Sequence, residues 1–306
     1  METYSHTPVL FEEVITLLQP QANGRYLDGT VGAGGHTAGI LEASAPAGRV
    51  LGLDKDPEAI AYAQKRLAKY GERVILVNAS YTAMAQVAAA HSFTDLDGIL
   101  LDLGLSSRQL DDPARGFSFM KEGPLDMRFD PTQGETAADL INNLSEAELA
   151  DIFWRYGEEN RSWYYARIIV AERPFSSTIE LADVIAAHTR QRGRRHPATK
   201  IFQALRLAVN KELEAVEIGV MTAIDLLKPG GRLAVISFHS LEDRFVKQTF
   251  RRLSQDKTPP PGFPATDDSR PAIVRRITRK AVQATAAETE QNPRSRSARL
   301  RVVEKI

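Results

Sequence analysis

The first hundred residues alternate between short apolar segments and stretches of helical spacing, and this alternation constrains the fold more than any other feature. The apolar segments, predicted as strands, are residues 25–28, 49–54, 73–77 and 98–102, with helices predicted over 37–44 and 57–70. Short strands separated by helices of this length form parallel sheets covered by helices on both faces. The sequence therefore predicts an α/β fold.

A long gap separates the fourth strand from the next convincing one, residues 232–237, which follows the turn Lys228-Pro-Gly-Gly231. A βαβ connection uses roughly 30 residues, so about 100 residues of this gap are extra. Four stretches within it have helical spacing and almost no strand character, namely 137–156, 163–172, 179–189 and 197–227. We predict an inserted all-helical domain over 113–210, flanked by the two parts of the α/β domain, 1–112 and 211–306.

The second part of the α/β domain has its own predicted elements. A helix is expected over 241–253, a Pro-rich loop over 258–264, and two closing strands over 273–277 and 298–303. The two strands are expected to form a hairpin at the sheet edge.

Composition excludes several classes of protein. The chain has no cysteine, which excludes disulfides, thiolate metal sites and a cysteine nucleophile. No run approaches the roughly 18 to 20 apolar residues of a membrane helix, and the start Met-Glu-Thr-Tyr-Ser lacks the features of a secretory signal. We therefore expect a soluble, cytoplasmic protein with no membrane partner.

The net charge is zero, but the charge is unevenly distributed. Residues 270–306 contain ten Lys/Arg and three Asp/Glu, and the stretch 184–211 contains seven Lys/Arg and no acid. Within that stretch Arg190, Arg192, Arg194 and Arg195 are bunched together. Solvated faces and contact with a polyanion such as nucleic acid both explain this pattern. Charge alone leaves the two interpretations open.

The first strand ends at Asp28 and is followed by the glycine-rich segment Gly29-Thr-Val-Gly-Ala-Gly-Gly-His36. α/β proteins bind nucleotides at such turns, where glycines let the backbone approach the ligand. A dinucleotide site requires G-x-G-x-x-G, but Thr37 replaces its third glycine, and no P-loop run G-x-x-x-x-G-K-[ST] exists. S-adenosylmethionine, whose sites carry an acid just ahead of the loop, fits best among the three ligands.

Three further residues strengthen the prediction of a cofactor site. Asp54 ends the second strand about 20 residues after Gly34, where an acid can take ribose hydroxyls. Asp102 ends the fourth strand, and Gly35 completes the turn. For Asp28 the alternative is a structural role as the helix N-cap of the turn.

Beyond this point the sequence resembles a known family, the RsmH (MraW) methyltransferases of bacteria, over nearly the whole chain. The segments that carry the resemblance are His6-Thr-Pro-Val-Leu10, Asp28 to His36, Leu101-Asp-Leu-Gly-Leu-Ser-Ser107, Gln109-Leu-Asp111, Arg115-Gly-Phe-Ser-Phe119, Pro124-Leu-Asp-Met-Arg128, His196-Pro-Ala-Thr199, Phe202-Gln-Ala-Leu-Arg206, Val209-Asn210, Gly230-Gly-Arg-Leu233, Ile236 to Arg244 and Asn292-Pro-Arg-Ser-Arg296. The family methylates the exocyclic N4 amine of a cytidine in 16S ribosomal RNA, in the P-site region of the decoding centre.

The resemblance implies a Rossmann-like class I methyltransferase sheet that binds S-adenosyl-L-methionine. It assigns Gly34, Gly35 and His36 to the methionine and ribose side of the cofactor and Asp54 to the ribose. The family pattern further implies that Tyr81 flanks the adenine, and that Asp102 and Gln109 close the site near the sulfonium. The implied partner is 16S rRNA within the small ribosomal subunit, and a homodimer is one assembly to test. No metal is implied.

Enzymes that methylate carbon 5 of a pyrimidine use a cysteine nucleophile, and this chain has no cysteine. Methylation of an exocyclic amine needs no such nucleophile. The amine is a poor nucleophile until hydrogen-bond acceptors hold its N–H groups, and placement of the reactants supplies much of the rate. We expect Asp102 or the Leu103 carbonyl to accept from the amine, with Asp126 or His239 as less favoured helpers. Cofactor binding alone is the competing role for Asp102.

The RNA itself requires contacts to its phosphates and a pocket for the flipped cytidine. We expect phosphate contacts from the basic run that ends in His196-Pro-Ala-Thr-Lys200 and from the tail arginines, which are Arg294, Arg296, Arg299 and Arg301. Phe117 and Phe119 either stack on bases or belong to a hydrophobic core. A small-molecule methyltransferase, a ribosome-binding factor without activity and a DNA substrate are the alternatives.

Overall fold

The computed structural model describes residues 8–189, 196–258 and 270–306. The chain divides into two compact units, one built from the described parts of Met1–Gly104 and Glu214–Ile306, the other from those of Leu105–Leu213. The second unit thus begins and ends at somewhat different residues than the predicted insertion, 113–210.

The elements of the described residues, in chain order, are α1 (Phe11–Leu18), β1 (Arg25–Asp28), α2 (Gly35–Ala43), β2 (Arg49–Asp54), α3 (Pro57–Leu67), β3 (Val74–Asn78), α4 (Met84–Ala90), β4 (Leu96–Asp102), α5 (Ser107–Asp111), α6 (Ala137–Asn143), α7 (Glu146–Arg155), α8 (Ser162–Ala171), α9 (Thr178–Ala187), α10 (Thr199–Asn210), α11 (Glu212–Leu226), β5 (Leu227–Ser237), α12 (Ser240–Leu253), β6 (Val274–Arg276), α13 (Ala286–Gln291) and β7 (Arg299–Lys305). Short 3-10 helices cover Ala68–Arg73, Tyr81–Ala83, Pro113–Arg115 and Pro293–Ser297. Among these residues, no helix combines the length and apolar character that a membrane crossing requires.

The strands form one seven-stranded sheet in the described residues, with the order β3-β2-β1-β4-β5-β7-β6. β1 to β5 are parallel, whereas β7 is antiparallel to both β5 and β6. The predicted α/β class is confirmed. Because β1 lies between β2 and β4, the strand order reverses at β1. In open α/β sheets, ligands bind outside the carboxyl ends of the strands at such a point.

Both faces of the sheet are covered. Leu27, Leu101 and Val235 enter a core cluster with residues of α4, α11 and α12. Their strand neighbours point the opposite way, so that Tyr26 and Leu100 pack with residues of α1, α2 and α3. This division follows from the alternation of side chains along a strand. It explains why the central strands are apolar throughout and show no polar face.

The helical unit has a hydrophobic core of its own, formed by residues of α6 to α10 and the loops before them. The predicted helical stretch 137–156 is divided into α6 and α7, because Ser145 forms a capping box with Glu148 and starts a new helix. The stretch 197–227 is likewise divided at Lys211, whose left-handed backbone (φ 51°) ends α10. The side-chain amide of Asn210 then bonds the Met127 carbonyl at 2.7 Å.

Two predictions for the end of the α/β domain need correction. The predicted turn before the fifth strand lies inside β5 as an irregular segment, marked by a register shift against β4 and by Gly230 at φ 81°. The two closing strands, β6 and β7, are antiparallel neighbours at the sheet edge, but α13 and a 3-10 helix lie between them in the chain. They are therefore not a simple hairpin. Most of the predicted Pro-rich loop 258–264 lies outside the described residues.

Candidate active site

The glycine turn between β1 and α2 is held by hydrogen bonds to Asp28. One carboxylate oxygen of Asp28 accepts the Thr30 backbone N–H at 3.1 Å, and the other accepts the Thr37 hydroxyl at 2.6 Å. Burial raises the pKa of Asp28 to about 6, against these bonds, which lower it. Gly34, at φ 75°, is the N-cap of α2. Asp28 therefore stabilises the turn by accepting these two hydrogen bonds. The alternative prediction, that Asp28 is the N-cap of the helix, is wrong, because Gly34 holds that position.

Asp54 connects the end of β2 to the same turn. Its Oδ2 atom accepts the Gly32 backbone N–H at 2.8 Å, and its Oδ1 atom accepts the Asp56 backbone N–H at 2.9 Å. Burial raises the pKa of Asp54 to about 6 despite these two bonds. Gly32 has a φ of 51°, a left-handed conformation that favours glycine. The acid and the turn therefore position each other.

Asp102 lies at the end of β4, beside β1. Its backbone N–H donates to the Thr30 hydroxyl at 2.6 Å, which connects it to the glycine turn. Its Oδ1 atom is buried and has no hydrogen-bond partner among the described residues. Burial raises the pKa of Asp102 to about 8, and the negative charges of Asp28 and Glu242 add to the effect. This carboxyl group has unused hydrogen-bonding capacity at the point where the strand order reverses.

His36, at the start of α2, is buried with a relative exposure of 6%. Its Nε2 atom lies 3.9 Å from Oδ2 of Asp102, and its ring stacks on Phe11 with centroids 6.0 Å apart. Among the described residues, neither ring nitrogen has a well-formed hydrogen bond. Burial lowers the pKa of His36 to about 4. The imidazole is therefore neutral near pH 7, with a nitrogen available to a ligand.

Tyr81 begins the 3-10 helix that follows β3, and Ser80 caps that helix by accepting the Thr82 N–H at 3.2 Å. The Tyr81 ring packs on α11 at Gly219, where an added Cβ would lie 2.5 Å from Cδ2 of the ring. An added Cβ on Gly29 would likewise lie 3.0 Å from the Tyr81 Cβ. Glycines on both sides thus make room for Tyr81 between the glycine turn and α11.

The turn after β5 contains His239, which is the N-cap of α12. Oε2 of Glu242 accepts the Phe238 backbone N–H at 2.9 Å, and Oε1 lies 3.0 Å from Nε2 of His239. The Glu242 side chain is buried and that of His239 is partly buried in this arrangement. Its packing and contacts give His239 a role in shaping the turn at the carboxyl end of β5.

The first unit brings together Gly34, Gly35, His36, Asp54, Tyr81 and Asp102 near the carboxyl ends of β1 to β4. Gln109 belongs to the other unit, where its Oε1 atom accepts the Ser106 N–H at 3.0 Å in a capping box. Asp126, also in that unit, binds Arg128 through both carboxylate oxygens, at 2.9 and 2.7 Å. That pairing leaves Asp126 poorly suited to accept from an amine.

Sequence reasoning did not single out Thr30, Thr37 or Gly219. Thr30 and Thr37 connect the acids at the ends of β1 and β4 to the turn. A threonine two residues after a strand-ending acid is a local signal that could have identified Thr30. Gly219 carries no such signal, because its contact with Tyr81 joins residues far apart in the chain.

Several residues expected to contact phosphates are engaged within the protein. Arg301 is 7% exposed and donates to both carboxylate oxygens of Asp243, at 2.7 and 3.1 Å. In the helical unit, the ammonium of Lys200, the last residue of the predicted run, bonds the Glu158 carbonyl at 2.7 Å. Arg206, beyond that run, makes the same kind of pair with the buried Glu212 as Arg301 makes with Asp243. The predicted role of Arg301 is therefore wrong, because its side chain is buried in an ion pair.

Other parts of the RNA prediction have different outcomes. The bunched arginines 190, 192, 194 and 195 lie outside the described residues. Phe117 and Phe119 both pack with the core of the helical unit, and the Phe119 ring contacts Phe202 with centroids 4.8 Å apart. Of the two predicted roles, stacking on bases or packing in a hydrophobic core, their packing corresponds to the second. Arg296 and Arg299 are exposed, although Arg299 also lies 3.4 Å from Asp243.

The chemistry of these groups fits a cationic, nucleoside-like ligand. Three carboxyl groups, those of Asp28, Asp54 and Asp102, have pKa values raised by burial, and a positive charge beside them would favour their ionised forms. Unpartnered buried atoms of His36 and Asp102 offer further hydrogen bonds. In the described residues, no group of three or more His, Cys, Asp or Glu side chains is placed to hold a metal ion.

The strand order, the single antiparallel strand β7 and the acids around a glycine turn together define a Rossmann-like methyltransferase domain. The family model described as the MraW methylase family matches residues 3–306, and the chain belongs to this family. The predicted resemblance, the methyltransferase activity and the S-adenosylmethionine cofactor are confirmed by this membership.

Curated relatives match over their full length. Proteins named "Ribosomal RNA small subunit methyltransferase H" are 52% identical in Thermomicrobium roseum, covering 99% of this chain and 94% of the relative, and 52% identical in Syntrophobacter fumaroxidans, covering 98% and 96%. A relative of the same name in Geotalea uraniireducens is 50% identical and covers 100% of both chains.

Proposed function

We propose that the protein transfers a methyl group from S-adenosylmethionine to the exocyclic N4 amine of a cytidine in 16S rRNA, in the P-site region of the small subunit's decoding centre. The observation that carries the proposal is the buried Oδ1 atom of Asp102, unpartnered among the described residues, beside the glycine turn. The relatives are named as small-subunit ribosomal RNA methyltransferases, and this supports the substrate class. The cytoplasm, where ribosomes assemble, is the proposed location.

The cofactor residues follow from the site. Gly34 and Gly35 would let the ligand approach the backbone of the turn, Asp54 would take ribose hydroxyls and Tyr81 would flank the base. His36 and Asp102 would lie on the methionine side. The family resemblance also assigns Gln109 to the cofactor, and that assignment stays a prediction. When bound, S-adenosylmethionine supplies an electrophilic methyl group. Its positive charge matches the carboxyl groups of the site.

The residues of the chain provide the acceptor chemistry. In its ionised form, Asp102 can accept an N–H of the amine and so make the nitrogen lone pair available for attack. After the N–C bond forms, the nitrogen carries an extra proton, which the same carboxylate can take. His36 is neutral and its Nε2 atom lies 3.9 Å from Oδ2 of Asp102, beyond hydrogen-bond distance, so it would have to approach by about 1 Å to bond Asp102 during this transfer.

The helical unit is the proposed recognition module for the RNA that surrounds the target cytidine. Support comes from its separate hydrophobic core and from the acid-free basic stretch 184–211 within it. Specific reading of RNA requires contacts beyond the reacting base. A homodimer is a proposed assembly that sedimentation of the purified protein would test directly.

The test uses labelled S-adenosylmethionine and small subunits from a strain that lacks this modification, with naked 16S rRNA and DNA beside them. Nucleoside mass spectrometry should find N4-methylated cytidine in the RNA and none in the DNA. Transfer to none of the three, despite tight cofactor binding, would contradict the proposal. A small-molecule methyltransferase would in addition show no salt dependence of substrate binding.

Variants of Asp102 separate its two possible roles. Asp102→Asn keeps the shape of the side chain but cannot take the proton, so we expect kcat to fall at least 100-fold at saturating cofactor. Asp102→Ala should lose cofactor affinity as well. If both variants lose only cofactor affinity and recover full kcat when saturated, Asp102 is a binding residue alone.

A further inference from the structure

Helix α12 has an outer surface that carries only positive charge. Its side chains Lys247, Arg251 and Arg252 are exposed, as is Arg244 one turn earlier. Residues three and four apart lie on the same stripe of a helix, so Arg244, Lys247 and Arg251 follow one line along α12, and Arg252 lies to one side of its end. From Arg244 to Arg251 the line extends about 10 Å along the helix axis.

The two acids of α12 are directed inward. Asp243 is 7% exposed and pairs with Arg301 of β7, at 2.7 Å between Oδ1 and Nε. Glu242 is 1% exposed and bonds the backbone of the turn before the helix. Within α12, which the structure describes throughout, no acid is left on the exposed side to neutralise the cations.

Neighbouring elements extend the positive surface. The segment before β6 is tied to the end of α12, because the Ile273 N–H donates to the Leu253 carbonyl at 3.0 Å and Arg270 donates to the Arg252 carbonyl at 2.6 Å. In β6, Val274 packs in the core cluster that contains α12 residues, and Arg276 shares its side of the strand. We name the set of Lys247, Arg251, Arg252, Arg270 and Arg276 the α12 basic face.

The helix macrodipole explains only part of this arrangement. Cations in the last turn of a helix are favourable, and Arg251 and Arg252 lie in the last turn of α12. The effect falls off within one turn, so it does not account for Lys247. A charge pattern that continues beyond the helix end, onto Arg276, points to an external ligand.

The chemistry of the face favours RNA over a protein or a lipid surface. The large hydrophobic side chains that are exposed among the described residues are Met120, Trp154, Trp163, Tyr164, Ile218 and Ile306, and none lies on α12 or β6. Protein interfaces have an apolar core, and helices that lie on membranes insert apolar residues. Contacts to a phosphate backbone depend chiefly on cations and need no apolar core.

We propose that the α12 basic face binds the phosphate backbone of the 16S rRNA substrate, as a second RNA contact on the methyltransferase unit itself. This inference rests on the proposed function. Helix α12 begins directly after the turn that follows β5, at the carboxyl ends of the strands where Asp102 lies, but its exposed cations Lys247, Arg251 and Arg252 lie in its second half. In the sheet, Arg276 is aligned through β7 with Leu233, whereas Asp102 is aligned with Ile236. The face is therefore set back from Asp102, and it would hold RNA that lies away from the target cytidine.

The test compares two matched charge variants. Lys247→Gln/Arg251→Gln removes two cations from the face. Lys65→Gln/Lys69→Gln removes two exposed cations from α3 and the residues after it, which pack by β2 and β3 at the other end of the strand order. Binding of unmodified small subunits and of naked 16S rRNA is measured between 50 and roughly 300 mM salt, a range that resolves the counterion slope.

We expect the α12 variant to bind both RNAs roughly 10- to 50-fold more weakly at 0.1 M salt, with the slope of log K against log salt reduced by about 1.4 to 1.8. The α3 variant should match the wild type. Cofactor affinity and the unfolding midpoint should be unchanged in both. An α12 variant with wild-type affinity and slope overturns the inference, and so does a loss confined to subunits, which would indicate a ribosomal protein as the partner.

The outcome is independent of the activity test. If the wild type binds the RNA with the expected slope but transfers no methyl group, the proposed function fails and the α12 contact stands. If the wild type methylates the RNA and the α12 variant does so with unchanged KM, the inference fails and the proposed function stands.

Discussion

His36 Nε2 lies 3.9 Å from Asp102 Oδ2, yet the two side chains are not an ion pair at neutral pH. Burial lowers the pKa of His36 to about 4 and raises the pKa of Asp102 to about 8. In the ligand-free protein near pH 7, the imidazole is therefore neutral and the carboxyl group is largely protonated. A positively charged ligand bound beside Asp102 would lower the pKa of its carboxyl group and so favour the ionised form.

Cofactor affinity should consequently depend on pH. Binding of a sulfonium cation favours the ionised form of Asp102, so binding releases a proton at pH values below about 8. We expect the affinity for S-adenosylmethionine to rise roughly 25-fold from pH 6.5 to 8.5 and to level off above that. Isothermal titration calorimetry in buffers of different ionisation enthalpy would measure both the affinity and the proton release.

Two controls identify the group responsible. Asp102→Asn should bind with little change between pH 7 and 8.5, and S-adenosylhomocysteine, which lacks the sulfonium charge, should show a smaller pH dependence with the wild type. An unaltered slope in Asp102→Asn would assign the effect to another group.

The stability of the ligand-free protein should fall as the pH rises. Asp28, Asp54 and Asp102 have folded-state pKa values raised to about 6, 6 and 8, above that of an unfolded aspartate. The folded state therefore binds more protons than the unfolded state, and its stability is lost as the pH rises toward 8. Urea unfolding at pH 6 and pH 8.5 should show the higher free energy of unfolding at pH 6.

Asp102→Asn should raise the free energy of unfolding at pH 8.5 by roughly 1–3 kcal/mol, because it removes a buried charge without changing the shape of the side chain. At pH 4, near the pKa of an unfolded aspartate, the variant should match the wild type closely. Equal effects at both pH values would mean that the ionised carboxylate is not the source of the cost.

Gly219→Ala should displace Tyr81. The new Cβ would lie 2.5 Å from the ring, which is closer than carbon atoms can approach. We expect a loss of about 1–3 kcal/mol in the free energy of unfolding and weaker cofactor binding. The exposed neighbour Ile218 provides the control, since Ile218→Ala on the same helix should change neither quantity appreciably. Unchanged cofactor binding in a folded Gly219→Ala protein would remove Tyr81 from the proposed cofactor site.

Arg301→Ala should be strongly destabilising. It would leave the buried carboxylate of Asp243 without its principal partner, a change that typically costs about 3–5 kcal/mol. Arg276→Ala, on the neighbouring strand and exposed, should stay within about 0.5 kcal/mol of the wild type. The double variant Asp243→Ala/Arg301→Ala should lose less than the sum of the two single variants. Additive losses in urea unfolding would show that the two side chains do not interact.

The sheet was largely predictable from local sequence. β1 and β2 begin and end at the predicted residues, because the strands are continuous apolar runs that end in an acid and are bounded by turns. The division of 137–156 into two helices was not predicted, although Ser145 followed by Glu148 is a capping-box signal. The helical spacing of hydrophobic residues continues from α6 into α7, so this spacing does not indicate where the first helix ends.

The candidate site was predictable only where a local pattern, such as the end of a strand, marks the residue. Gly34, Asp54 and Asp102 follow from their places after strands. The pair of Arg301 with Asp243 and the contact of Tyr81 with Gly219 join residues separated by more than 50 positions, and no local pattern indicates them. The same separation hid the basic face, because the burial of Asp243 depends on a strand that comes near the end of the chain.

The pairing of β4 with β5 has a consequence for how the ribosome makes this protein. About 125 residues lie between the two strands, and at 5–20 residues per second their synthesis takes roughly 6–25 s. During that interval one edge of β4 has no neighbour to pair with, and unpaired strand edges promote aggregation. The helical unit, with its own core, can fold in that time, so the order of synthesis favours completing the insertion before β5 is available to pair with β4.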